Sequence, residues 1–218
     1  DLDAAERFQA GPARDTLLTA MVESGLRGLA FWHNGMKQFG GPLAMTSPEA
    51  ADGLKFRIME SDVLQEQILQ MGGNPQKMAF GEVYQALQTG AVDAQENTWA
   101  NIYSSKFFEV QEYLTESNHG YLGYLVAVNE TFWQGLPADI RAELEQIVAE
   151  VSAWGNAQAK DVNDGALANI VASGRSEIAQ LSDAQYQVWA EKMRPVWDKF
   201  AADIGADMIE AAQAAGRP

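Results

Sequence analysis

Two residues combine polar chemistry with positions that favour its use. Arg57 stands in Leu54-Lys55-Phe56-Arg57-Ile58-Met59, where Leu54, Phe56 and Ile58 alternate with Lys55, Arg57 and Met59 at the period of a strand. A guanidinium on a strand heading into a core needs a partner. A carboxylate matches its fork with two parallel hydrogen bonds; that carboxylate is either an Asp or Glu of the chain, the commoner case, or a ligand. Asn97 follows Ala91-Val92-Asp93-Ala94-Gln95, a second strand that delivers Glu96 and Asn97 at its exit. An Asn at a strand end is a donor for a ligand or simply a turn former. Phe80, Trp99 and Tyr121 are either cleft walls or ordinary core aromatics. His33 and His119 read as hydrogen-bonded structural residues, too few for a histidine-rich metal site.

The elements that must position Arg57 and Asn97 form a strand-helix-strand unit. Ser61 caps a helix carrying Leu64, Ile68 and Met71 on one face, and Gly72-Gly73 stops it. Met78 to Phe80 is extended, Glu82 to Thr89 is a second helix, and Gly90 lies just past its end. In open sheets built this way ligands sit beyond the strand C-termini, and both residues would open onto that crevice.

Elsewhere the pattern is coarser. Asp3 to Gly25 reads as one or two short helices, Gly25 to Gly28 as a turn, Leu29 to Trp32 as a short buried strand, and Gly40-Gly41-Pro42 as a break. Ser47 and Pro48 start a small helical turn. Trp99 to Tyr103 is expected helical, Phe107 to Leu114 extended, and Tyr121 to Val128 the most apolar strand. Ile140, Leu144, Ile147, Val151 and Trp154 have the spacing of a helix burying one face, and the pattern resumes at Val162, Leu167 and Ile170. Ser182 and Gln185 form a capping box. Pro195 should kink or divide the following helix at Arg194, and Met208 to Ala215 closes the chain as a short helix.

Composition narrows the class. The 218 residues allow one or two domains of α/β type, and 47% hydrophobic with 21% charged residues fits a globular chain. A formal charge of −15 argues against nucleic acid and anionic membrane surfaces, though a local pocket on an acidic protein can still be positive. Zero Cys removes thiolate chemistry and disulfides. No apolar run approaches a membrane span of about 20 residues, and no leader follows the acidic Asp1-Leu2-Asp3. No Gly-rich phosphate loop, G-x-S-x-G or H-E-x-x-H is present, so neither a cofactor, a resident metal nor catalysis is expected.

The run MAFGEVYQALQTGAVDAQEN, preceded by GLKFR and followed by KFFEVQEYLTESNHGY, resembles the substrate-binding subunit of tripartite ATP-independent periplasmic (TRAP) transporters. WHNGMKQ, from Trp32 to Gln38, and ENTWANIYSSKFFEVQ, from Glu96 to Gln111, resemble the C4-dicarboxylate-binding branch, and the likeness extends from Asp1 to about Gly205. The resemblance implies a periplasmic, two-lobed binding-protein fold with a long helix spanning both lobes, and no enzyme activity. It implies an incomplete first lobe, whose usual opening βα units precede Asp1. Residues 1–34 and 123–160 would be the remaining part of that lobe; residues 35–122 and 161–218 would be the second lobe with its C-terminal helices. Its function would be to capture a small organic acid and deliver it to the TRAP membrane subunits. Arg57 aligns with the family's carboxylate-binding Arg, Asn97 with a donor to the same carboxylate, and Lys37 with a second cationic position. Phe80, Trp99 and Tyr121 would wall the cleft, Asn34 and Gln38 would support it, and Glu96 would hold its neighbours in place. The alternatives are a truncated, ligand-free interaction module and an enzyme acting on small acids.

Overall fold

The computed structural model describes residues 1–216. Two short helices, α1 (Leu2–Ala10) and α2 (Arg14–Thr19), lead into the 16-residue strand β1 (Leu26–Gly41). Strand β2 (Lys55–Ile58), helix α3 (Asp62–Gln70), strand β3 (Asn74–Lys77), helix α4 (Val83–Thr89) and strand β4 (Ala94–Thr98) make two successive parallel steps. After α5 (Trp99–Ser104), the 17-residue β5 (Tyr113–Asn129) runs back antiparallel to β1. Helix α6 (Glu130–Gly135), the 36-residue α7 (Ala138–Ser173), strand β6 (Glu177–Gln180), α8 (Asp183–Ile204) and α9 (Ala206–Ala215) follow. The fold is mixed α/β, with one sheet in the order β3-β2-β4-β1-β5-β6.

Local signals explain several of these elements. Ser61 accepts from the Leu64 amide at the start of α3, and the Ser182–Gln185 capping box opens α8. Gly90 ends α4 at φ 71°, a left-handed conformation that a side chain disfavours. Two clusters then pack on opposite faces of the sheet. One joins α4, α5 and α7 around Val83, Trp99, Ile102, Phe107 and Ile170. The other joins α3 and α8 to the sheet around Phe39, Phe56, Ile58, Ile68 and Trp189.

The structure departs from the sequence expectations in identifiable ways. The short strand at Leu29–Trp32 is part of β1, which continues without a turn through Asn34 and Lys37 to Gly41. Its glycines and polar residues hide the strand pattern, yet Gly35 is required: a Cβ there would meet the Asn163 amide of α7 at 2.7 Å. β3, Asn-Pro-Gln-Lys, is polar and sits at a sheet edge, where Pro is tolerated. β4 begins three residues later than expected, so Glu96 and Asn97 lie within it. Phe107–Glu109 is a 3-10 turn, and extension starts only at Tyr113. Pro195 does not divide α8. It is exposed, so the carbonyl it frees one turn back faces water.

The largest difference concerns α7. Its stripe forms a helix as expected, but Ile140, Ile147, Val151 and Trp154 are exposed, Trp154 by 70%. What α7 applies to the sheet is polar. Asn156 Oδ1 accepts from the His33 amide at 2.9 Å, and its Nδ2 donates to the Phe31 carbonyl at 2.9 Å. Asn163 donates to the Asn34 carbonyl at 2.7 Å and accepts from the Ala100 amide at 3.1 Å. These amides replace a neighbouring strand along β1, whose pairing with β4 begins only at Lys37.

Candidate functional site

Arg57 is on β2, beside Gln95 of β4 in the parallel register, and only 3% exposed. Its Nε and Nη2 both donate to the Met78 carbonyl, at 3.0 and 2.7 Å, which leaves Nη1 uncommitted. No acid lies within ion-pair distance of it among the described residues, although the chain carries 30. Burial lowers its pKa from the ordinary value, opposed by the more distant charge of Glu96. The Phe80 ring lies 5.8 Å from the guanidinium carbon, within range of a cation–π contact.

Arg57 opens into a cavity of about 650 Å³ lined also by Lys77, Phe80, Asn97, Asn101 and Tyr124. Asn97 is oriented by its neighbours. Its Oδ1 accepts from the Asn101 side chain at 2.8 Å and the Thr98 amide at 3.1 Å, so its two N–H bonds remain for the cavity. Asn34 fixes the next members: its Nδ2 reaches Tyr124 Oη at 2.7 Å and Asn101 Oδ1 at 3.2 Å. With that oxygen accepting from Asn34, the Tyr124 hydroxyl proton can point inward. The result is a wall of donors: a guanidinium, an amide and a phenol. Lys77 is on the same wall and pairs with exposed Glu60 at 3.0 Å and Asp62 at 2.9 Å.

The structure therefore brings Arg57, Asn97 and Phe80 together and places Lys37, Trp99 and Tyr121 elsewhere. Lys37 was expected to meet a ligand carboxylate; here it meets Glu96, within a buried group completed by His119. Burial opposes ionisation of Glu96, but Lys37 and His119 overcome it and hold the carboxyl below its usual range. Burial also lowers the His119 pKa, and Glu96 does not cancel that effect. Trp99 is packed in the cluster of α4, α5 and α7. Tyr121 Oη lies 2.6 Å from His33 Nδ1 and accepts from Gln9 at 3.3 Å. Asn34 does support the cavity wall, whereas Gln38 accepts from the Ser117 and Asn118 amides and stabilises the β5 bend.

Asn101, Tyr124 and Lys77 escaped the sequence reading. Asn101 had a usable signal, lying one helical turn after Asn97. Tyr124 had none, because it enters the wall through the β1–β5 register, about 65 residues from Arg57 in the chain. Among the described residues, no group of three or more His, Asp or Glu is placed to hold a metal ion.

Known proteins match this chain along most of its length. Residues 1–203 match the family of bacterial extracellular solute-binding proteins, family 7. The chain belongs to that family. It is 48% identical over 217 residues to the C4-dicarboxylate-binding periplasmic protein DctP of Vibrio cholerae, which covers 100% of this chain and 65% of that relative. This family 7 chain thus spans just under two thirds of the relative's length. Among solved structures, a TRAP periplasmic solute-binding protein of Shewanella oneidensis with bound succinate aligns at TM-score 0.96 and 46% identity, over 100% of this chain and 71% of the other. One from Pseudomonas aeruginosa with bound L-malate aligns at TM-score 0.88 and 38% identity, over 91% of this chain and 69% of the other. No helix among the described residues is long and apolar enough to cross a membrane.

Proposed function

We propose that this chain binds a small organic acid, a C4-dicarboxylate such as succinate or malate, in the periplasm, and passes it to the membrane subunits of a TRAP transporter without chemical change. The observation that carries the reading is Arg57: a buried guanidinium, open to a cavity, with no acid within ion-pair distance among the described residues of an acidic chain. Left alone it would be costly; a ligand carboxylate completes its fork. The succinate and malate found in related proteins have the carboxylate this arrangement requires.

In this reading one carboxylate lies on Arg57 and takes an N–H of Asn97, while Phe80 covers the carbon chain. The other falls to the Tyr124 hydroxyl and Lys77. Lys37 stays on Glu96 and steadies β4 beneath Asn97. The reading also divides the chain near Gly35 and Leu122, with the β1–β5 ribbon and α7 shared between two lobes that close over the ligand.

Calorimetric titration with succinate tests the site. Arg57→Lys keeps the charge and loses the fork, and it should weaken binding by at least about tenfold. Unchanged affinity in that variant rejects the assignment.

A further inference from the structure

The two neutral donors of the Arg57 cavity are fixed in different ways. Asn97 Oδ1 takes the Thr98 main-chain N–H at 3.1 Å. A main-chain N–H can only donate, so the Asn97 amide has one orientation, with Nδ2 toward the cavity. Tyr124 has no such anchor. Its hydroxyl can donate or accept, and Asn34 Nδ2, at 2.7 Å, is the only polar partner it has among the described residues.

Asn34 therefore decides what Tyr124 offers, and main-chain donors decide Asn34 in turn. The Asn101 N–H donates to Thr98 Oγ1 at 3.3 Å, which leaves the Thr98 hydroxyl proton for Asn34 Oδ1. Asn101 Nδ2 donates to Asn97 Oδ1 at 2.8 Å, so Asn101 Oδ1 is left to accept from Asn34 Nδ2 at 3.2 Å. Reversing the Asn34 amide would set two donors against each other at Thr98 and two oxygens at Asn101. Asn34 reaches all three neighbours because it is the extra residue of a bulge, where the β1–β5 register skips from His33 to Gly35. Asn163 of α7 holds its carbonyl at 2.7 Å, and its side chain stands behind the cavity wall without lining it.

We propose that Asn34 is a positioning residue that sets the ligand preference at the Tyr124 end of the cavity: by keeping Tyr124 a donor, it selects an anionic group there over a cationic one. The inference rests on the acid-binding reading above. A dicarboxylate offers acceptors to both ends. A compound with a carboxylate at one end and an ammonium at the other satisfies Arg57 and Asn97, but turns its N–H groups toward the Tyr124 hydrogen and the Lys77 ammonium.

Succinate and β-alanine are the probes, because β-alanine is succinate with one carboxylate replaced by an ammonium. Both are titrated calorimetrically into the 218-residue chain, and wild type should prefer succinate. Asn34→Asp puts an acceptor beside Tyr124, whose hydroxyl then turns to it and shows the cavity its lone pairs. Succinate should weaken at least about tenfold. The added charge alone would also repel succinate, so a double-mutant cycle with Tyr124→Phe separates the two effects. Removing the hydroxyl should weaken succinate about tenfold in wild type and less than about twofold in the Asn34→Asp background. If Asn34→Asp does not fold, Asn34→Leu takes its place: the hydroxyl is no longer held, and the Tyr124→Phe loss should again shrink. A loss that shrinks in this way, with succinate preferred by wild type, upholds the assignment. An equal Tyr124→Phe loss in both backgrounds, no loss in either, or equal affinity of wild type for the two probes overturns it. Succinate binding weakened by Arg57→Lys and untouched by Asn34→Asp overturns the role of Asn34 alone, whereas no succinate binding in wild type overturns the acid site and this inference together.

Discussion

The β1–β5 ribbon has two ends that share a backbone and differ in what surrounds it. From Lys37 to Gly41, β1 lies between β4 and β5, β5 gains β6, and helices bury both faces. From Leu26 to Asn34 the ribbon has no third strand among the described residues, and Leu26, Trp32 and Tyr124 are exposed. The exposed stripe of α7 belongs to this second end. The less covered end carries more apolar side chains on β1 (Leu26, Leu29, Ala30, Phe31 and Trp32) than the covered end (Phe39), so hydrophobicity alone does not make a core. Burial needs a second layer, and only one end has it.

The sharpest way to break this contrast is to make similar truncations on either side. Phe56, fully buried beside Phe39 and Trp189, should cost about 3–5 kcal/mol when changed to Ala, measured by urea denaturation. Trp154→Ala, on the exposed stripe, should stay within about 0.5 kcal/mol. Equal losses would mean that the two ends do not differ as described.

Next in size is the seam between them. Asn163→Ala strands the Asn34 carbonyl and the Ala100 amide where helix, strand and α5 meet, and should cost about 1–3 kcal/mol. A silent Asn163→Ala would make α7 a bystander rather than a substitute strand.

A smaller effect separates the ends by pH. The lowered folded pKa of His119 means that the unfolded chain takes up its proton first as pH falls below the ordinary value of 6.5, so stability declines with acidification from there. Glu96, also lowered, adds a further loss below its ordinary 4.5. The melting temperature should fall from pH 6.5 toward 4.5, and His119→Gln should flatten that slope. It should not abolish it, because burial lowers the His33 pKa as well. An unchanged slope in His119→Gln would remove the triad from the account.

How much of this was legible beforehand follows the same division. Alternation in Lys55–Ile58, the caps at Ser61 and Ser182 and the helical stripe of α7 are local, so they could be read directly. Arg57, Phe80 and Asn97 line one cavity, and the sequence had pointed to all three through one long motif, which carries Phe80 and Asn97, and the GLKFR stretch before it. The length of β1, the donor Tyr124 and the exposure of Trp154 were not legible. Each depends on what a distant segment packs against: β5, Asn34 and the absence of a covering layer among the described residues. The pairing of Lys37 with Glu96 was hidden for a related reason. A cation near a binding motif suggests an anion, but sequence does not say that Glu96, one strand away, takes it first.

The least effect on stability, with a visible effect elsewhere, is expected from Trp154→Ser. The folding free energy should stay within about 0.5 kcal/mol, while binding of an apolar fluorescent dye to the folded chain should weaken, because the stripe presents apolar area to solvent. Undiminished dye binding would place the exposed apolar surface elsewhere.

The amides of Asn156 and Asn163 have one more consequence, for how copies of this chain can join. Near Phe31 and Asn34, β1 already has its outward backbone groups occupied by a helix and cannot take on a new strand. The facing stretch of β5, from Tyr121 to Asn129, has no such cover from another strand among the described residues. At this end of the ribbon a further strand can therefore pair along β5 and not along β1, where helix amides already hold the backbone.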